Sequence, residues 1–430
     1  GTFNYIWKID TLGSQFKVLG DYARREASSH NDNFSHIQPE GLPSVDSTYR
    51  DHTDNSFEVA ALTLALDKKF SPKWSLQTGA KYTRNHTYNN SLYQYLKEEE
   101  WVRNDDQSLR VDYTEHIAAA YGVVTAKLGR WGVTAGLRGE YTRTDGRRNG
   151  VEQNYFSLFP NANVSYSLSS DGAYSLVAQY ARTIRRPSFW TLMPNRSQIS
   201  DYTYQTGNPD LLPSYTSDVS LTAVLAHKYT LTAGISIVDD EINQDMVPDA
   251  ENPDVLGILW LNYDRTASYY LAASLPFQLA KWWTLNLNAN YVYNGMRLSS
   301  HGSIRYHHYL FANAQTTFTL PGKVYLDLSY RYNNRLYLGS CWVDAMHFLN
   351  ASIKKSFFGD RLTCTFSAYN LLNRAQTLGA RGDDFVRHQQ VRQNWSSIRF
   401  QVGVTYNFKA GKAFQKKSVE AGAAEDRSRL

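Results

Sequence analysis

The chain has 430 residues, a formal net charge of +5, 42% hydrophobic and 14% aromatic residues, and 31 tyrosines. So small a charge, without a basic stripe carrying nucleic-acid motifs, does not point to DNA or RNA. No apolar run approaches the ~20 residues of a membrane helix; "VLGILW" (Val255 to Trp260) is the nearest.

The predicted elements are strands throughout, about 17 of them by alternation and turn signals. They lie near 1–9, 15–27, 55–67, 73–86, 110–128, 131–144, 152–168, 173–186 and 213–226. The rest lie near 229–242, 256–279, 282–295, 303–319, 322–335, 342–356, 361–370 and 391–408. "VTAGLRGEYT" (Val133 to Thr142) sets Arg138 and Glu140 on its polar side. In "WWTLNLNANYVYN", Trp283, Leu285, Leu287, Tyr291 and Tyr293 share one face, and Thr284, Asn286, Asn288 and Asn290 share the other. "VYLDLSYRY" and "IRFQVGVTYNF" repeat the pattern nearer the C-terminus.

Short connections such as "DTLGS", "KLGRW", "AHKY" and "LPGK" alternate with long polar ones near 28–54, 87–110, 187–213, 242–255 and 371–390. Tight turns at one end and long loops at the other mark an outer-membrane barrel. At ~3.3 Å per residue and ~40° tilt, Trp283 to Tyr293 spans about 25 Å, the height of the apolar band between aromatic girdles. The expected fold is therefore an all-β, transmembrane, antiparallel up-and-down barrel. The apolar faces turn to lipid and the amide faces line the lumen. A soluble β-sandwich or propeller would reverse both faces, but its strands usually run only ~3–10 residues.

An odd strand count has a consequence. In an up-and-down barrel the first and last strands would be parallel and could not close. Open edges in lipid cost several kcal/mol per unpaired group. The chain is thus expected to be the C-terminal part of a larger barrel (residues 1–408), with an odd number of strands preceding Gly1. Residues 409–430 lose alternation and read as a charged periplasmic tail.

"RTIRRPSFWTLMP" (Arg182 to Pro194), "QTGNPDLLP" (Gln205 to Pro213) and "SAYNLLN" (Ser367 to Asn373) together resemble TonB-dependent outer-membrane receptors, in particular the barrel type common in the Bacteroides group. The resemblance runs along most of the chain. It implies a barrel of about 22 strands with a plugged lumen, energy drawn from the TonB complex, and a bulky nutrient as cargo: a glycan, peptide or metal chelate. Twenty-two less seventeen leaves about five strands, an odd number. The plug and the TonB-contacting segment are not in these residues, so transport is expected of a longer parent protein. A surface lipoprotein is a possible further partner.

Arg185 and Arg186, with Phe189, Trp190, Tyr202 and Tyr204, are the candidate ligand surface. The structural alternative makes Arg185 and Arg186 a strand exit paired to lumen carboxylates. Pro187 removes a ladder donor and, with Ser188 and Pro213, belongs to the family-like motif. Gly207, Asn208 and Pro209 are expected to make a turn starting the next strand.

Other clusters read as structural. "EEEWVRNDD" (Glu98 to Asp106) and "DDE" (Asp239 to Glu241) lack the spacing of a calcium loop and read as solvated charge. His307 and His308 should point to opposite faces. Cys341 and Cys364 should lie about 40 Å apart along neighbouring strands, too far to bridge. "RGD" at Arg381 to Asp383 reads as chance. HExxH, GxSxG, P-loop and paired CxxC motifs are absent, and neither an enzyme nor a cofactor is expected. A passive porin or structural outer-membrane protein is the main functional alternative.

Overall fold

The computed structural model describes residues 1–408 except 39–42, 106, 147–150, 195, 201–202, 250, 298–299, 339–340, 373–375, 382–385 and 392–396. The predicted tail therefore lies outside the described residues. The chain opens with β1 (Thr2–Lys8), β2 (Gln15–Ile37), β3 (Val45–Ser71), β4 (Trp74–Lys97), β5 (Glu100–Arg103), β6 (Leu109–Leu128), β7 (Trp131–Asp145), β8 (Asn154–Ser167) and β9 (Ser175–Arg185). After the one-turn helix α1 (Phe189–Leu192) come β10 (Ser197–Ser200), β11 (Thr203–Thr206), β12 (Ser214–Leu225), β13 (Tyr229–Asp239), β14 (Glu241–Pro248) and β15 (Leu256–Tyr263). Then follow β16 (Thr266–Ala280), β17 (Trp283–Met296), β18 (Arg305–Leu320), β19 (Val324–Asn333), β20 (Leu336–Leu338) and β21 (Cys341–Val343). The last are β22 (Met346–Phe357), β23 (Leu362–Tyr369), β24 (Gln376–Arg381), β25 (Val386–Val391) and β26 (Arg399–Tyr406).

The wall comprises all strands except β5 and the eight short ones β10, β11, β14, β15, β20, β21, β24 and β25, so it has 17 members among the described residues. Each wall strand pairs antiparallel with the next along the chain, from β1–β2 to β23–β26. This is the predicted up-and-down meander at the predicted count. β1 and β26 run in the same sense, and each pairs on one side only among the described residues. No helix is long and apolar enough to cross a membrane, which says nothing about crossing by strands.

The tight turns that join one wall strand directly to the next fall at one end of the wall. The residues at the tips adopt the left-handed backbone that turns need: Gly322 and Lys323 between β18 and β19 (φ 73° and 58°), Ala226 and His227 between β12 and β13 (51° and 59°). Every long connection falls at the other end.

Two expectations about these long connections are corrected. The stretches near 28–54 and 87–110 are largely extensions of the wall strands: β2 and β3 stay in register from Gln15↔Asp67 to Ile37↔Val45, and β4 continues to Lys97. Backbone pairing persists past the apolar band because a polar hairpin satisfies its N–H and C=O groups as well as an apolar one. The single strand expected over 256–279 breaks at Asp264 and Arg265, which lie between β15 and β16. β15 leaves the wall and joins β14, and pairs in parallel with β11, making a four-stranded sheet β10–β11–β15–β14. β20, β21, β24 and β25 build a second such sheet.

The two wall faces differ in a way opposite to a soluble protein. Along β7, Leu137 is 51% exposed, while Glu140 and Thr142 on the other face are 7% and 0% exposed. Phe156 and Leu158 on β8 join the exposed set; Ser157 and Phe159 join the covered one. Residues directly opposite in a sheet share a face. Ala135 thus links to Ala162, Tyr180, Val219, Ile235, Tyr269 and finally Tyr293, each opposite the next. Trp283, Leu285, Leu287, Tyr291 and Tyr293 therefore lie on the face of the exposed Leu137 and Tyr141. By the same register Asn286, Asn288 and Asn290 lie on the face of Arg138 and Glu140.

Adjacent side chains diverge as predicted at His307 and His308. His307 stacks on Tyr337 (ring centroids 4.0 Å), whereas His308 packs on Tyr293 (5.0 Å). Cys364 is a free thiol opposite Lys355 in β22. The side chain of Cys341 lies outside the described residues, as does the Gly-Asp part of "RGD".

Candidate functional site

The connection from β9 to β12 runs back across the covered face. Ser188 caps α1, its Oγ accepting from the Thr191 amide at 3.4 Å. α1 then drives Phe189, Leu192 and Met193 into a core with Val111, Tyr113, Val151, Leu211 and Ile242. Phe189 reaches Tyr113 on β6 and Phe57 on β3, with ring centroids 6.3 and 6.5 Å apart. A connection leaving β9 thus touches strands several positions around the wall, because the sheet curves round it.

The Gly-Asn-Pro turn locks onto α1. The Gly207 amide donates to the Met193 carbonyl at 2.8 Å, and the Asn208 amide to the Thr191 carbonyl at 2.7 Å. A Cβ at position 207 would stand 2.7 Å from the Met193 nitrogen and 2.8 Å from the Thr191 oxygen, so only glycine lets the backbones meet. The Asn208 side chain donates to the Trp260 carbonyl at 3.1 Å, and its Oδ1 accepts from the Asp210 amide at 2.9 Å. This is an Asx turn through Pro209. Beyond it Leu211 is fully buried, and Pro213 directly precedes β12.

Charge enters from the wall. Arg186 donates to Glu140 and to the Thr142 hydroxyl (3.3 Å), and Arg138 holds the other Glu140 oxygen. Glu115, next door on β6, accepts from Asn85 at 2.9 Å. Arg185 instead reaches the Ile242 carbonyl at 3.4 Å.

The six sequence-predicted ligand residues therefore separate. Arg186 and Phe189 are buried in wall and core contacts. Trp190 is 50% exposed, edge-on to Phe189. Tyr204 on β11 lies under the Arg196 guanidinium, 3.6 Å from its ring centroid, and Arg196 also pairs with Asp249 at 3.3 Å. Burial first, then the Asp249 carboxylate, pushes the Tyr204 phenol up. The Tyr204 hydroxyl and the Glu251 and Asn252 amides in turn hold Asp249 below the usual carboxylate range. Tyr202 lies outside the described residues. Sequence reasoning missed Arg196, Asp249 and Asn262. Asn262 ties the segments together, donating to the Leu212 and Asp240 carbonyls at 2.9 Å each. Its only signal was its position beside the "VLGILW" run. Among the described residues no group of three or more His, Cys, Asp or Glu is placed to hold a metal ion.

An inverted 17-strand meander with a connection folded against its polar face defines the class: an outer-membrane β-barrel. The chain belongs to the outer membrane protein beta-barrel family, whose model matches residues 7–406. No curated protein matches the sequence. Solved structures share the fold. The copper transporter OprC aligns with TM-score 0.64 at 15% identity, over 92% of this chain and 62% of its own. The ferric-catecholate import receptor Fiu from E. coli K12 aligns with TM-score 0.61 at 12% identity, over 87% and 60%. The ferric yersiniabactin uptake receptor FyuA from Yersinia pestis aligns with TM-score 0.58 at 13% identity, over 91% and 60%. The chain thus spans 60–62% of the length of these three. The outer-membrane barrel read in the sequence is thus shown in family and in fold.

Proposed function

We propose that this chain is the greater part of the wall of a TonB-dependent importer of a bulky nutrient, with its long connections extracellular and its tight turns and C-terminus periplasmic. The observation that carries the reading is the inversion of faces. A wall that exposes Leu137, Leu221 and Leu271 while covering Thr142, Glu140 and Glu115 suits lipid outside and a polar path within. The connection packed on the covered face by Phe189, Leu192 and Gly207 then frames the mouth of that path. Trp190 and the Tyr204–Arg196 pair face the incoming ligand, and the two small sheets extend the capture surface, where a surface lipoprotein could also dock. A plug and a TonB-contacting segment belong to the parent protein.

The experiment is deletion of the gene for the full-length protein, with uptake measured for glycans, peptides and metal chelates, with and without TonB. Loss of one class of uptake, reproduced by removing TonB, is expected. Unchanged uptake of every class overturns the proposal. Uptake lost on deletion but retained without TonB identifies a passive porin instead.

A further inference from the structure

On the exposed face of β4, β6 and β7, an apolar row gives way abruptly to a cationic one. Leu62, Tyr82, Ala118, Tyr141 and Phe156 lie opposite one another in sequence across five strands. One step toward the long connections, the row reads Ala60, Arg84, His116, Arg143 and Asn154. Arg84 and Arg143 are exposed, and neither has an ion-pair or hydrogen-bond partner among the described residues. Both flank His116 directly. Two guanidiniums thus stand one strand apart on the same face, with the imidazole between them and no anionic partner among the described residues.

The ring between them can donate. Tyr82 Oη lies 2.7 Å from His116 Nδ1. A phenol donating there leaves the imidazole Nε2–H as the remaining donor. The next row up holds Glu58, His86, Thr114 and Asp145; Glu58 is met by Arg24 at 3.2 Å, and His86 lies 3.6 Å from Asp112. The acidic groups nearest the row are thus above it, not between its members. Trp74 and Trp131 stand at the tight-turn ends of the same strands on the same face. From Trp74 to Arg84 is about 25 Å along the barrel axis, the height of the apolar band, which sets the row at the headgroup level.

We propose that Arg84, His116 and Arg143 form a site on the outer wall for the phosphate of a membrane lipid headgroup in the leaflet at the long-loop end. Two guanidiniums supply paired donors to phosphate oxygens, and the imidazole supplies a third between them. The acyl chains then lie over Tyr82, Tyr141 and Phe156. The site rests on the reading that this face meets lipid.

The test uses the full-length protein in phosphatidylcholine nanodiscs containing lipid A or dephosphorylated lipid A, with retained lipid counted by native mass spectrometry. Brominated acyl chains report separately, through tryptophan quenching, whether the apolar face is in lipid. Retention of phosphorylated lipid A, reduced about tenfold or more by Arg84→Gln with Arg143→Gln, is expected. Arg84→Lys with Arg143→Lys should restore much of it, which excludes misfolding as the cause. Equal retention of both lipids, or no change in the glutamine variant, overturns the site while quenching persists. Displacement of lipid A by millimolar inorganic phosphate also overturns it, in favour of a soluble-anion site. Absence of quenching removes the outward-face reading and the site together.

Discussion

Arg186, one residue past the end of β9, donates to the Glu140 carboxylate on β7, and each side chain is only 9% exposed. The pair joins residues 46 apart in the chain. It anchors the β9–β12 connection to the wall at the point where Pro187 ends the strand.

Removing one partner leaves the other charge buried. Glu140→Ala should destabilise the protein by about 3–5 kcal/mol, whereas replacing both residues with methionine should cost much less. Urea unfolding of the detergent-solubilised protein checks this. A small loss in the single variant would mean that water reaches the pair.

Gly207→Ala places a methyl against the α1 backbone. It should cost about 1–3 kcal/mol and loosen the connection. Limited proteolysis between residues 186 and 213 should show cleavage in the variant before the wall itself is cut.

Phe189 and Trp190 are neighbours with different tasks. Phe189→Ala empties a core position and should cost about 3–5 kcal/mol. Trp190→Ala is a surface change expected within about 0.5 kcal/mol of wild type, yet it should weaken nutrient uptake. Measuring stability and uptake on both separates support from capture; a stable Trp190 variant with full uptake would remove that residue from the ligand surface.

Leu287→Arg and Asn288→Arg differ by one position and by face. The first should cost about 2–4 kcal/mol if it meets mid-bilayer, and the second little. Folding titrations in lipid vesicles compare them. Equal costs would reverse the assignment of inside and outside.

Much of this was legible in the chain. Alternation from Trp283 to Tyr293 gave both faces of β17, and turn chemistry such as "LPGK" gave the end at which the strands reverse. The candidate ligand surface was less so. Phe189 and Trp190 are consecutive aromatics, and nothing local says that the first packs on Tyr113 while the second stays open.

The wall strands, their number and the two-faced pattern follow from the sequence alone, since they depend on neighbours two residues apart and on turn residues. Only the tertiary structure decided that Arg186 meets Glu140, that β15 leaves the wall to pair with β11, and that Arg84 and Arg143 flank His116. Those contacts join segments from different parts of the chain. Curvature and register of the whole sheet set them, and no short stretch of sequence records either.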